Sequence, residues 1–416
     1  MSAAAPNGSP NYAFADPFRE IYVPPIRSLA PYASRPGTVS LSGGYPDPAL
    51  FDVEGLKEAS DRVTANLRSY LQYSNVDGQA SLLAALVKLS GERGISCKTD
   101  ELLVAGGAQH GMALLARVML QKGDHAIIED PAFPNTVQAL RYTGATVHAV
   151  PSGPYGVDVD ALDELAARVK PKVVCVVASF SNPGGATVSR EHRLRLAALA
   201  VKHRFLLIED DPYGELRYSG EKVPPILALA DAEARPWLAY TSTMSKIMSP
   251  GMRVGWLIAP AAIRRRCLSA KAADDMANPA WIQEIAAAYI ESGRLHAHVP
   301  RICAAYGARC DALGNALASV LGDRVSFVKP EGGMFFWVRL TGDIDATRLL
   351  PYAIEKEVVF VPGKGFYLDP ARHVDMFAMR LSFVTVDEDR LRLGVERMAR
   401  ALEACEANEP VSITIG

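Results

Sequence analysis

The sequence contains no closely spaced cysteine pair and no histidine pattern typical of a metal site. Its six cysteines are scattered over 416 residues without a CxxC motif, and its eight histidines form no HExxH motif. Scattered cysteines in helical or apolar patterns are typical of reduced thiols, so we expect a cytoplasmic protein without a disulfide framework. The histidine spacing predicts neither a structural nor a catalytic zinc site, and we expect no bound metal.

Long apolar runs and strongly basic blocks are also missing. No stretch approaches the roughly 20 apolar residues that a membrane helix needs. The first residues, MSAAAPNGSPNYAF, lack the basic start and the apolar core of a secretory signal. The formal net charge is only -2. We therefore expect a soluble intracellular protein whose principal partners are neither membranes nor nucleic acids.

The length and composition allow a two-domain globular protein. Hydrophobic residues make up 49% of the chain and charged residues 22%, and the mass of 44.8 kDa is enough for two full cores. Residues 1–17 are rich in Ala, Pro, Asn and Ser and are predicted to be disordered. We predict an N-terminal arm at 18–49 that joins the small domain, a large domain at 50–300 and a small C-terminal domain at 301–416.

Helical and strand patterns alternate through the predicted large domain. A first helix is predicted around Pro25–Tyr32. Further helices are predicted at 53–67, 79–93, 109–121, 134–143, 158–169 and 189–203. Strands are predicted at 101–105, 125–129, 146–150, 173–179, 205–209, 238–241 and 254–258. This alternation is typical of an α/β fold, a mainly parallel sheet with helices on both faces, in three α/β/α layers.

The pattern changes after Pro260. Helices are predicted at 261–274 and at roughly 280–321, the latter interrupted near Gly293 or Pro300. Predicted strands at 324–329, 334–339, 358–361 and 379–383 combine with predicted helices at 345–356 and 387–405. This combination predicts a smaller α+β domain.

The segment Thr241–Trp256, TSTMSKIMSPGMRVGW, contains the strongest indication of chemistry. It places Lys246 among hydroxyl side chains and puts Arg253 seven residues further on, after a Pro-Gly turn. Hydroxyl groups and an arginine fork can both donate to phosphate oxygens, while a lysine can condense with an aldehyde. Taken alone, the segment also fits a surface loop that carries a solvated lysine, although the chemical interpretation is favoured.

Four further motifs follow predicted strands of the same sheet, each with a plain structural alternative. Gly106-Gly107-Ala108-Gln109 precedes a helix, where free backbone N–H groups favour an anion, although many such turns contain Gly-Gly. Phe133 is suited to stack on a planar ring, or is simply a core residue. The Asn182 side chain could donate a hydrogen bond to a ring oxygen, or Asn182-Pro183 could simply form a turn. Asp210, close to Tyr213, is a buried carboxylate with a cationic partner, or part of a solvated acidic turn.

Taken together, the five motifs lie at strand ends that a parallel sheet brings to one edge. They supply donors that can bind a phosphate, an aromatic ring that can stack on a planar ligand and a carboxylate for a ring nitrogen. They also supply donors to a ring oxygen and a lysine that can condense with an aldehyde. The ligand that matches all of these protein groups is pyridoxal 5′-phosphate.

The chain resembles the fold-type I pyridoxal-phosphate aminotransferases of class I/II, and most of all the branch of 2-aminoadipate and aromatic aminotransferases. The resemblance extends from about Pro25 to Ala404. It rests on PIRSLA, GGYPDPALF, LQYSNVDG, GGAQHGM, SFSNPGG, EDDPYGELRY, TSTMSKIMSPGMRVGW, EGGMFFW, VPGKGF and MRLSFVT in this order.

The resemblance implies a role for each site residue. Lys246 would bind the cofactor aldehyde, Asp210 would pair with the ring nitrogen, and Asn182 with Tyr213 would bond the ring 3-oxygen. The ring would stack on Phe133. The phosphate would be held by the backbone of Ala108 and Gln109 together with Thr243, Ser245 and Arg253.

The resemblance also implies a substrate site shared between two subunits. Tyr73 would reach the phosphate of the neighbouring subunit, so the active form would be a homodimer. Arg380, assisted by Asn182, would hold the substrate α-carboxylate. Arg27 on the first helix would either meet a distal carboxylate or pair within the arm. Gly44 and Tyr45 would line the mouth of the site and favour aromatic or aliphatic side chains.

In a few places the chain departs from the family pattern. Asn182-Pro-Gly-Gly replaces the usual Asn-Pro-Thr-Gly, and Thr243 replaces a common serine, but both keep the groups that the cofactor needs. The segment 274–279 is less typical and leaves the substrate open.

The expected reaction is transamination between an L-amino acid and a 2-oxo acid such as 2-oxoglutarate. Oxidation, decarboxylation, elimination and cyclisation use the same kind of cofactor site and remain alternatives. A transcription factor with an aminotransferase-like domain is disfavoured because no basic recognition helix precedes the arm.

Overall fold

The computed structural model describes residues 12–369 and 375–413. The predicted disorder of residues 1–11 lies outside these residues, and residues 12–17 contain only the start of a 3₁₀ turn at Asp16–Phe18. Within the described ranges, no helix is both long and apolar enough to cross a membrane.

The strands of the described residues are, in chain order, β1 (Val39–Ser40), β2 (Leu102–Ala105), β3 (His125–Asp130), β4 (Thr146–Gly153), β5 (Gly156–Val157), β6 (Val173–Val176), β7 (Leu206–Asp211), β8 (Leu238–Thr243), β9 (Gly255–Ile258), β10 (Val325–Phe327), β11 (Phe335–Leu340), β12 (Val358–Val359), β13 (Val361–Pro362) and β14 (Ala378–Ser382). The helices are α1 (Pro25–Ala33), α2 (Val53–Thr64), α3 (Ala80–Glu92), α4 (Ala108–Met119), α5 (Pro134–Arg141), α6 (Val159–Val169), α7 (Arg190–His203), α8 (Ile226–Leu229), α9 (Ala261–Asp274), α10 (Ala280–Glu291), α11 (Arg294–Ala316), α12 (Ala346–Glu355) and α13 (Glu388–Glu406).

The large sheet has eight strands in the order β2-β9-β8-β7-β6-β3-β4-β5. The pairs from β8 through β7, β6 and β3 to β4 are parallel, which confirms the predicted α/β fold with a mainly parallel sheet. Strand β9 is antiparallel to both of its neighbours. It follows β8 through a compact turn without a crossover helix, and such a connection can only return the chain in the opposite direction.

Helices cover both faces of this sheet. Alternate residues of the same strands point to opposite faces, so each strand contributes to two cores. On one face Ile127, Val174 and Leu207 belong to the larger buried cluster, and on the other Ile128, Cys175 and Ile208 belong to a second cluster. Both faces are therefore dry, as the near-continuous apolar runs of these strands predict.

A second, antiparallel sheet follows in the C-terminal part, with the order β10-β11-β14-β13. Strand β1 from the N-terminal part pairs in parallel with β12. The segment before the large sheet is thus tied to the C-terminal strands. The exact domain boundaries at residues 49/50 and 300/301 stay a prediction.

Several elements differ from the sequence-based expectation. The strand predicted at 173–179 ends at Val176, because the Glu129 side chain rather than a neighbouring strand accepts the Val177 N–H at 2.9 Å. The predicted strand at 358–361 is divided between two sheets. The long predicted helix breaks at Gly293, one of the two positions predicted for its interruption, where φ is +79°, whereas the other, Pro300, lies inside α11 without ending it.

One edge of the large sheet collects the functional motifs. Strands β3, β6, β7 and β8 run in parallel, and β2 runs in the same direction because two antiparallel pairings separate it from β8. Their carboxyl ends therefore lie at one edge. The segments that leave this edge begin at Gly106, Pro131, Val177, Pro212 and Met244.

Candidate active site

The turn between β2 and α4 presents free backbone donors. Gly107 has a φ of +91°, and α4 begins at Ala108 without a side-chain cap. The first N–H groups of a helix have no partner inside the helix, so this end suits an anion. Gly255 packs directly beneath the turn, because a Cβ placed on it would lie 2.5 Å from the carbonyl carbon of Gly107. Only glycine permits this approach.

Arg253 closes the same turn from the β8–β9 connection. Its Nη2 donates to the Gly106 carbonyl at 2.7 Å, and its side chain remains exposed. Its backbone is left-handed, with a φ of +53°, directly after the 3₁₀ turn that Pro250 begins. The guanidinium thus lies beside the uncapped start of α4, where its remaining donors are available to an anion.

Two hydroxyl side chains stand at the end of β8. The Thr243 hydroxyl donates to the Val254 carbonyl at 3.0 Å and accepts from the Ser245 backbone N–H at 3.1 Å. The Ser245 hydroxyl lies 2.8 Å from the Thr243 hydroxyl. These bonds fix both side chains at the beginning of the 3₁₀ turn Met244–Lys246.

Lys246 ends that turn and points back to the N-terminal part of the chain. Its Nζ donates to the Gly44 carbonyl at 2.9 Å and lies 5.9 Å from the centre of the Tyr213 ring. Burial and, to a smaller degree, the charges of Arg380 and Arg253 lower the pKa of Lys246 to about 8. More of this amine is therefore neutral near neutral pH than of an ordinary lysine, as a nucleophile or base requires.

Asp210 lies near the carboxyl end of β7, next to β8. Its Oδ1 accepts from the Thr241 hydroxyl at 2.8 Å. Burial and, to a smaller degree, the charge of Asp211 raise the pKa of Asp210 to about 6, against the opposing Thr241 bond. A carboxylate in this position gains most when a cation pairs with it.

Three further residues form a hydrogen-bonded chain. The Arg380 Nη1 donates to the Asn182 Oδ1 at 2.8 Å, and the Asn182 side chain is also hydrogen-bonded to the Tyr213 hydroxyl. Burial raises the pKa of Tyr213 to about 12, against the opposing influence of Arg380. Tyr213 is therefore a neutral phenol that can donate a hydrogen bond.

Arg380 is fully buried between aromatic rings. Its Nη2 donates to the Ser42 carbonyl at 2.7 Å, and its guanidinium carbon lies 4.2 Å from the Phe335 ring centre and 5.0 Å from that of Phe366. Burial lowers the pKa of Arg380 to about 10. Among the described residues, its buried Nε has no hydrogen-bond partner. A buried cation with an unused donor suits an anionic ligand.

The other predicted site residues lie at the periphery. Phe133 precedes α5 and is partly buried, while the Gln109 side chain donates to the Asn135 carbonyl at 3.2 Å. Tyr45 is 64% exposed, although its hydroxyl is close enough to Arg380 to affect the pKa of that arginine. Tyr73 is 77% exposed. Arg27 is exposed, and its guanidinium makes no ion pair or hydrogen bond within residues 12–369 and 375–413.

The structure adds residues that the sequence did not identify. Thr241 orients Asp210, the Ser42 carbonyl binds Arg380, and Phe335 with Phe366 encloses that guanidinium. The sequence gives no sign of these roles, because hydroxyl and aromatic side chains such as these are also common among ordinary buried residues. Gly44 was predicted to contact substrate, and its carbonyl meets Lys246.

Glu129 is the most unusual of the added residues. It is 2% exposed, its Oε1 accepts from the Val177 N–H, and its Oε2 has no hydrogen-bond partner. Burial raises the pKa of Glu129 to about 8, against the Val177 bond, and the nearby Asp210 adds to the increase. A carboxyl group in this position is neutral at neutral pH, which leaves Asp210 as the charged acid.

We expect Glu129→Gln to change how stability depends on pH. Glu129 titrates near its ordinary value when unfolded but at about 8 when folded. Its contribution is therefore fully present below pH 4.5 and is lost as the pH rises to 8, by roughly 1.4 kcal/mol for each pH unit between the two values. Because glutamine does not titrate, the variant lacks this dependence of the free energy of unfolding on pH. Its stability relative to the wild type should therefore increase from pH 5 to pH 8.

Urea unfolding at pH 5, 6, 7 and 8 measures this difference. Glu164→Gln, at an exposed position on α6, is the matched control and should follow the wild type at every pH. Parallel curves for wild type and Glu129→Gln would show that Glu129 is ionised in the folded protein.

The assembled residues fit pyridoxal phosphate. Lys246, Arg253 and Arg380 bring three cationic groups together, and the charges of both arginines reach the Lys246 amine. The uncapped start of α4 and the unused Nε of Arg380 are two separate places for anions. A ligand that carries a phosphate, together with a substrate that carries a carboxylate, would satisfy both.

Comparison with known proteins agrees with this fit. The family model described as "Aminotransferase class I and II" matches residues 41–398. The chain is 36% identical to aromatic-amino-acid aminotransferase 1 of Thermococcus litoralis, over 91% of each chain. It is 31% identical to 2-aminoadipate transaminase of Thermus thermophilus, over 94% of this chain and 96% of that protein.

A solved structure is similar over the same length. The crystal structure of Pyrococcus horikoshii kynurenine aminotransferase in complex with PMP superposes with a TM-score of 0.88 at 33% identity, over 96% of this chain and 98% of that one. The similarity therefore covers nearly all of the elements described above.

Proposed function

Because the chain belongs to the class I and II aminotransferases and is a pyridoxal-phosphate-dependent enzyme of this family, we propose that it acts on L-amino acids with aromatic, aliphatic or 2-aminoadipate-like side chains. The amino acceptor is a 2-oxo acid such as 2-oxoglutarate. The names of the two relatives, an aromatic and a 2-aminoadipate aminotransferase, support these substrates. The observation that carries the proposal is the fully buried Arg380 guanidinium, which is bonded to Asn182 and whose charge reaches the Lys246 amine with its lowered pKa.

The proposed cofactor contacts follow the geometry of the sheet edge. When bound, pyridoxal phosphate supplies an aldehyde for amino groups and a protonated ring that withdraws electrons from the substrate Cα. We assign the phosphate to the backbone N–H groups of Ala108 and Gln109 and to Thr243, Ser245 and Arg253. We assign the ring to Phe133, its nitrogen to Asp210, and its 3-oxygen to Asn182 and Tyr213.

Lys246 carries the proton in this proposal. Its amine is released when substrate binds and then removes the proton from the substrate Cα, so it must be neutral at that moment. The lowered pKa of about 8 supports this role. The Gly44 carbonyl, which accepts from Nζ at 2.9 Å, would hold the released amine in reach of Cα.

Arg380 and Asn182 orient the substrate. The guanidinium would bind the α-carboxylate through paired hydrogen bonds, which fixes Cα with respect to Lys246. Burial between Phe335 and Phe366 excludes water from this contact, and a dry environment strengthens the attraction between the charges.

Arg27 is the residue that we propose binds a distal carboxylate of the substrate. Gly44 and Tyr45 would lie at the mouth of the site. Among the described residues the Arg27 guanidinium has no partner, which favours contact with substrate over pairing within the arm. We expect Arg27→Ala to lower kcat/KM for 2-aminoadipate about 10-fold or more, since hydrogen bonds to charged groups contribute about 1.5–3 kcal/mol. Phenylalanine, which has no distal carboxylate, should change less than about 2-fold.

Steady-state rates with 2-oxoglutarate test the substrate class and Arg27 together. The panel of donors should include phenylalanine, tyrosine, kynurenine, leucine, 2-aminoadipate and lysine. Arg35→Ala is the matched control, because Arg35 is an exposed arginine of the same arm that lies over the Tyr32 ring. An equal loss for all donors would contradict a side-chain role for Arg27, and no amino transfer from any donor would contradict the proposed substrates.

A homodimer with shared active sites is part of the proposal. Leu71, Tyr73 and Met276 expose large apolar side chains, at 69%, 77% and 54%, on a surface that a second copy would cover. Tyr73 would bind the phosphate held by the partner. The six cysteines, all in the described part of the chain and all free, support a cytoplasmic location.

Mixed dimers test whether Tyr73 acts across the interface. Lys246→Ala and Tyr73→Ala each damage both sites of their own dimer, but a heterodimer of the two has one site with both native residues. Co-expression should therefore give about a quarter of the wild-type site activity, if the subunits associate at random in a symmetric dimer. Activity no higher than the sum of the two separate variants would place Tyr73 in its own subunit's site, or outside both.

A further inference from the structure

A fully buried arginine outside the active site supports the loop that carries Asn182. Arg193 lies on α7 and is 0% exposed. Its Nη2 donates to the Ala178 carbonyl at 2.6 Å and to the Ser179 hydroxyl at 2.8 Å, and its Nε donates to the Val188 carbonyl at 3.0 Å. One guanidinium thus binds both ends of the loop between β6 and α7.

The Arg193 guanidinium lies beside the buried carboxyl group of Glu209, whose pKa is raised by burial to about 8 although the charge of Arg193 opposes the shift. Its Nη1 lies 3.5 Å from the Glu209 Oε1 and donates to the Pro224 carbonyl at 3.0 Å. The Glu209 Oε2 accepts from the Ile226 N–H at 2.7 Å. Burying a charged guanidinium costs several kcal/mol before its attraction to neighbouring groups is counted, so Arg193 contributes little to stability compared with an apolar side chain. Its value lies in fixing one arrangement of the groups that it binds.

The loop itself is held from several sides. The Val177 N–H donates to Glu129, and the Ala178 carbonyl also accepts from the Val188 N–H at 2.9 Å. On the far side, Gly185 has a φ of +67°, and a Cβ on it would lie 2.7 Å from the Phe335 carbonyl oxygen. The loop is therefore wedged between Arg193 and strand β11.

Asn182 lies at the centre of this loop, three residues beyond Ser179. Its Oδ1 accepts from Arg380, while Arg193 touches neither Asn182 nor Arg380. A shift of the loop would move the Asn182 amide and leave the Arg380 guanidinium without one of its two protein partners. This displacement would weaken binding of the substrate carboxylate at Arg380.

We propose that Arg193 is a positioning residue that sets the place of Asn182 and, through it, the affinity of the Arg380 site for the substrate carboxylate. The inference rests on the proposed function of Asn182 and Arg380. If Arg193 only stabilised the fold, its replacement would lower the melting temperature and leave carboxylate affinity unchanged.

Arg193→Lys tests this in the holoenzyme. The lysine keeps a positive charge beside Glu209, but one ammonium group cannot reach both ends of the loop. The probe is 3-phenylpropionate, which has a carboxylate but no amino group to react, titrated by calorimetry. We expect its Kd to rise about 10-fold, the loss of roughly one charged hydrogen bond. We expect KM for phenylalanine to rise in parallel and kcat to fall by less than about 3-fold.

Amide hydrogen exchange provides a second readout, with faster exchange expected at residues 177–188 and unchanged exchange in β8. Arg195→Lys is the matched control, because Arg195 lies two residues further along α7 and pairs with Asp160 at the surface. It should leave the Kd, the exchange rates and the melting temperature at wild-type values.

Ser179→Ala covers the case in which Arg193→Lys fails to fold, because it removes a single bond from the loop side. We expect a Kd about 3-fold higher. An unchanged Kd in every folded variant, with only the melting temperature lowered, would overturn the proposal. Arg380→Lys separates this from failure of the proposed function: if that variant binds the probe like wild type, the carboxylate site itself has been misassigned.

Discussion

Replacing Lys246 by alanine should abolish covalent attachment of the cofactor and lower kcat on the order of 10⁴-fold, because the variant lacks both the amine that binds the aldehyde and the base at Cα. Alanine should leave the turn intact, since within the described ranges the Lys246 amine donates a hydrogen bond to the Gly44 carbonyl alone and otherwise lies 5.9 Å from the Tyr213 ring centre. Reduction with borohydride followed by peptide mass spectrometry measures attachment, and single-turnover kinetics measure the reaction.

Lys88→Ala, at an exposed position on α3, should retain full attachment and activity. Attachment to another lysine in Lys246→Ala, at the wild-type rate, would contradict the assignment of Lys246.

The same lysine predicts a pH dependence in the apo-protein. Only the neutral amine attacks an aldehyde, and burial with two nearby arginines brings the pKa of Lys246 down to about 8. Attachment should therefore accelerate as the pH rises towards 8 and level off above it, whereas an ordinary lysine would continue to accelerate up to about pH 10.4. Stopped-flow absorbance after mixing apo-protein with pyridoxal phosphate follows this rate.

Replacing Asp210 by asparagine should have the second largest effect. Asparagine has the same shape and can still accept from Thr241, but it carries no charge to keep the ring nitrogen protonated. We expect kcat to fall about 10²- to 10³-fold, the usual cost of removing one preorganised electrostatic group from an active site. Asp210→Glu, which retains the charge at a changed distance, should keep more activity than Asp210→Asn.

The pH dependence of cofactor affinity tests the same residue independently of activity. Without a cationic partner the pKa of Asp210 is about 6, so the carboxylate is protonated below that value and cannot pair with the ring. Wild-type affinity should fall as the pH drops through 6, and Asp210→Asn should show no such change. Equal pH profiles for the two proteins, measured by fluorescence titration, would mean that Asp210 does not face the ring nitrogen.

Much of the fold could be predicted because its information is local. A buried parallel strand reads as a short apolar run and an amphipathic helix has a period near 3.6 residues, and both patterns are visible within a dozen residues. The ends of β7, which contains Asp210, and of β8, which precedes Lys246, were therefore predicted to within two residues. The hairpin strand β5 and the pairing of β1 with β12 involve two residues each, too few for any pattern to appear.

Strand ends were harder, because they depend on partners elsewhere in the chain. Strand β6 stops at Val176 since the Glu129 carboxyl, 48 residues earlier, takes the next N–H. Of the two predicted break points in the long helix, Gly293 adopts a positive φ and separates α10 from α11, while α11 continues through Pro300. Neither the end of β6 nor the continuation through Pro300 follows from propensity alone, because tertiary contacts outweigh it.

The sequence by itself determined the class of chemistry. A lysine, a carboxylate, an asparagine and an arginine after successive apolar strands can only meet at one edge of a parallel sheet, and this combination suits a phosphate-bearing aldehyde. The need for glycine at positions 107 and 255 emerged only in the folded protein, where Gly107 has a φ of +91° and a Cβ on Gly255 would lie 2.5 Å from the Gly107 carbonyl carbon.

The tertiary structure alone decided which groups are charged and what holds them. Lys246 meets a carbonyl 202 residues away, and Arg380 meets Asn182 across 198 residues. A pKa depends on how much water and which charges surround a group, and these are set by segments that are distant in the chain. The lowered pKa of Lys246, the neutral Glu129 and the support of the Asn182 loop by Arg193 therefore exist only in the folded protein.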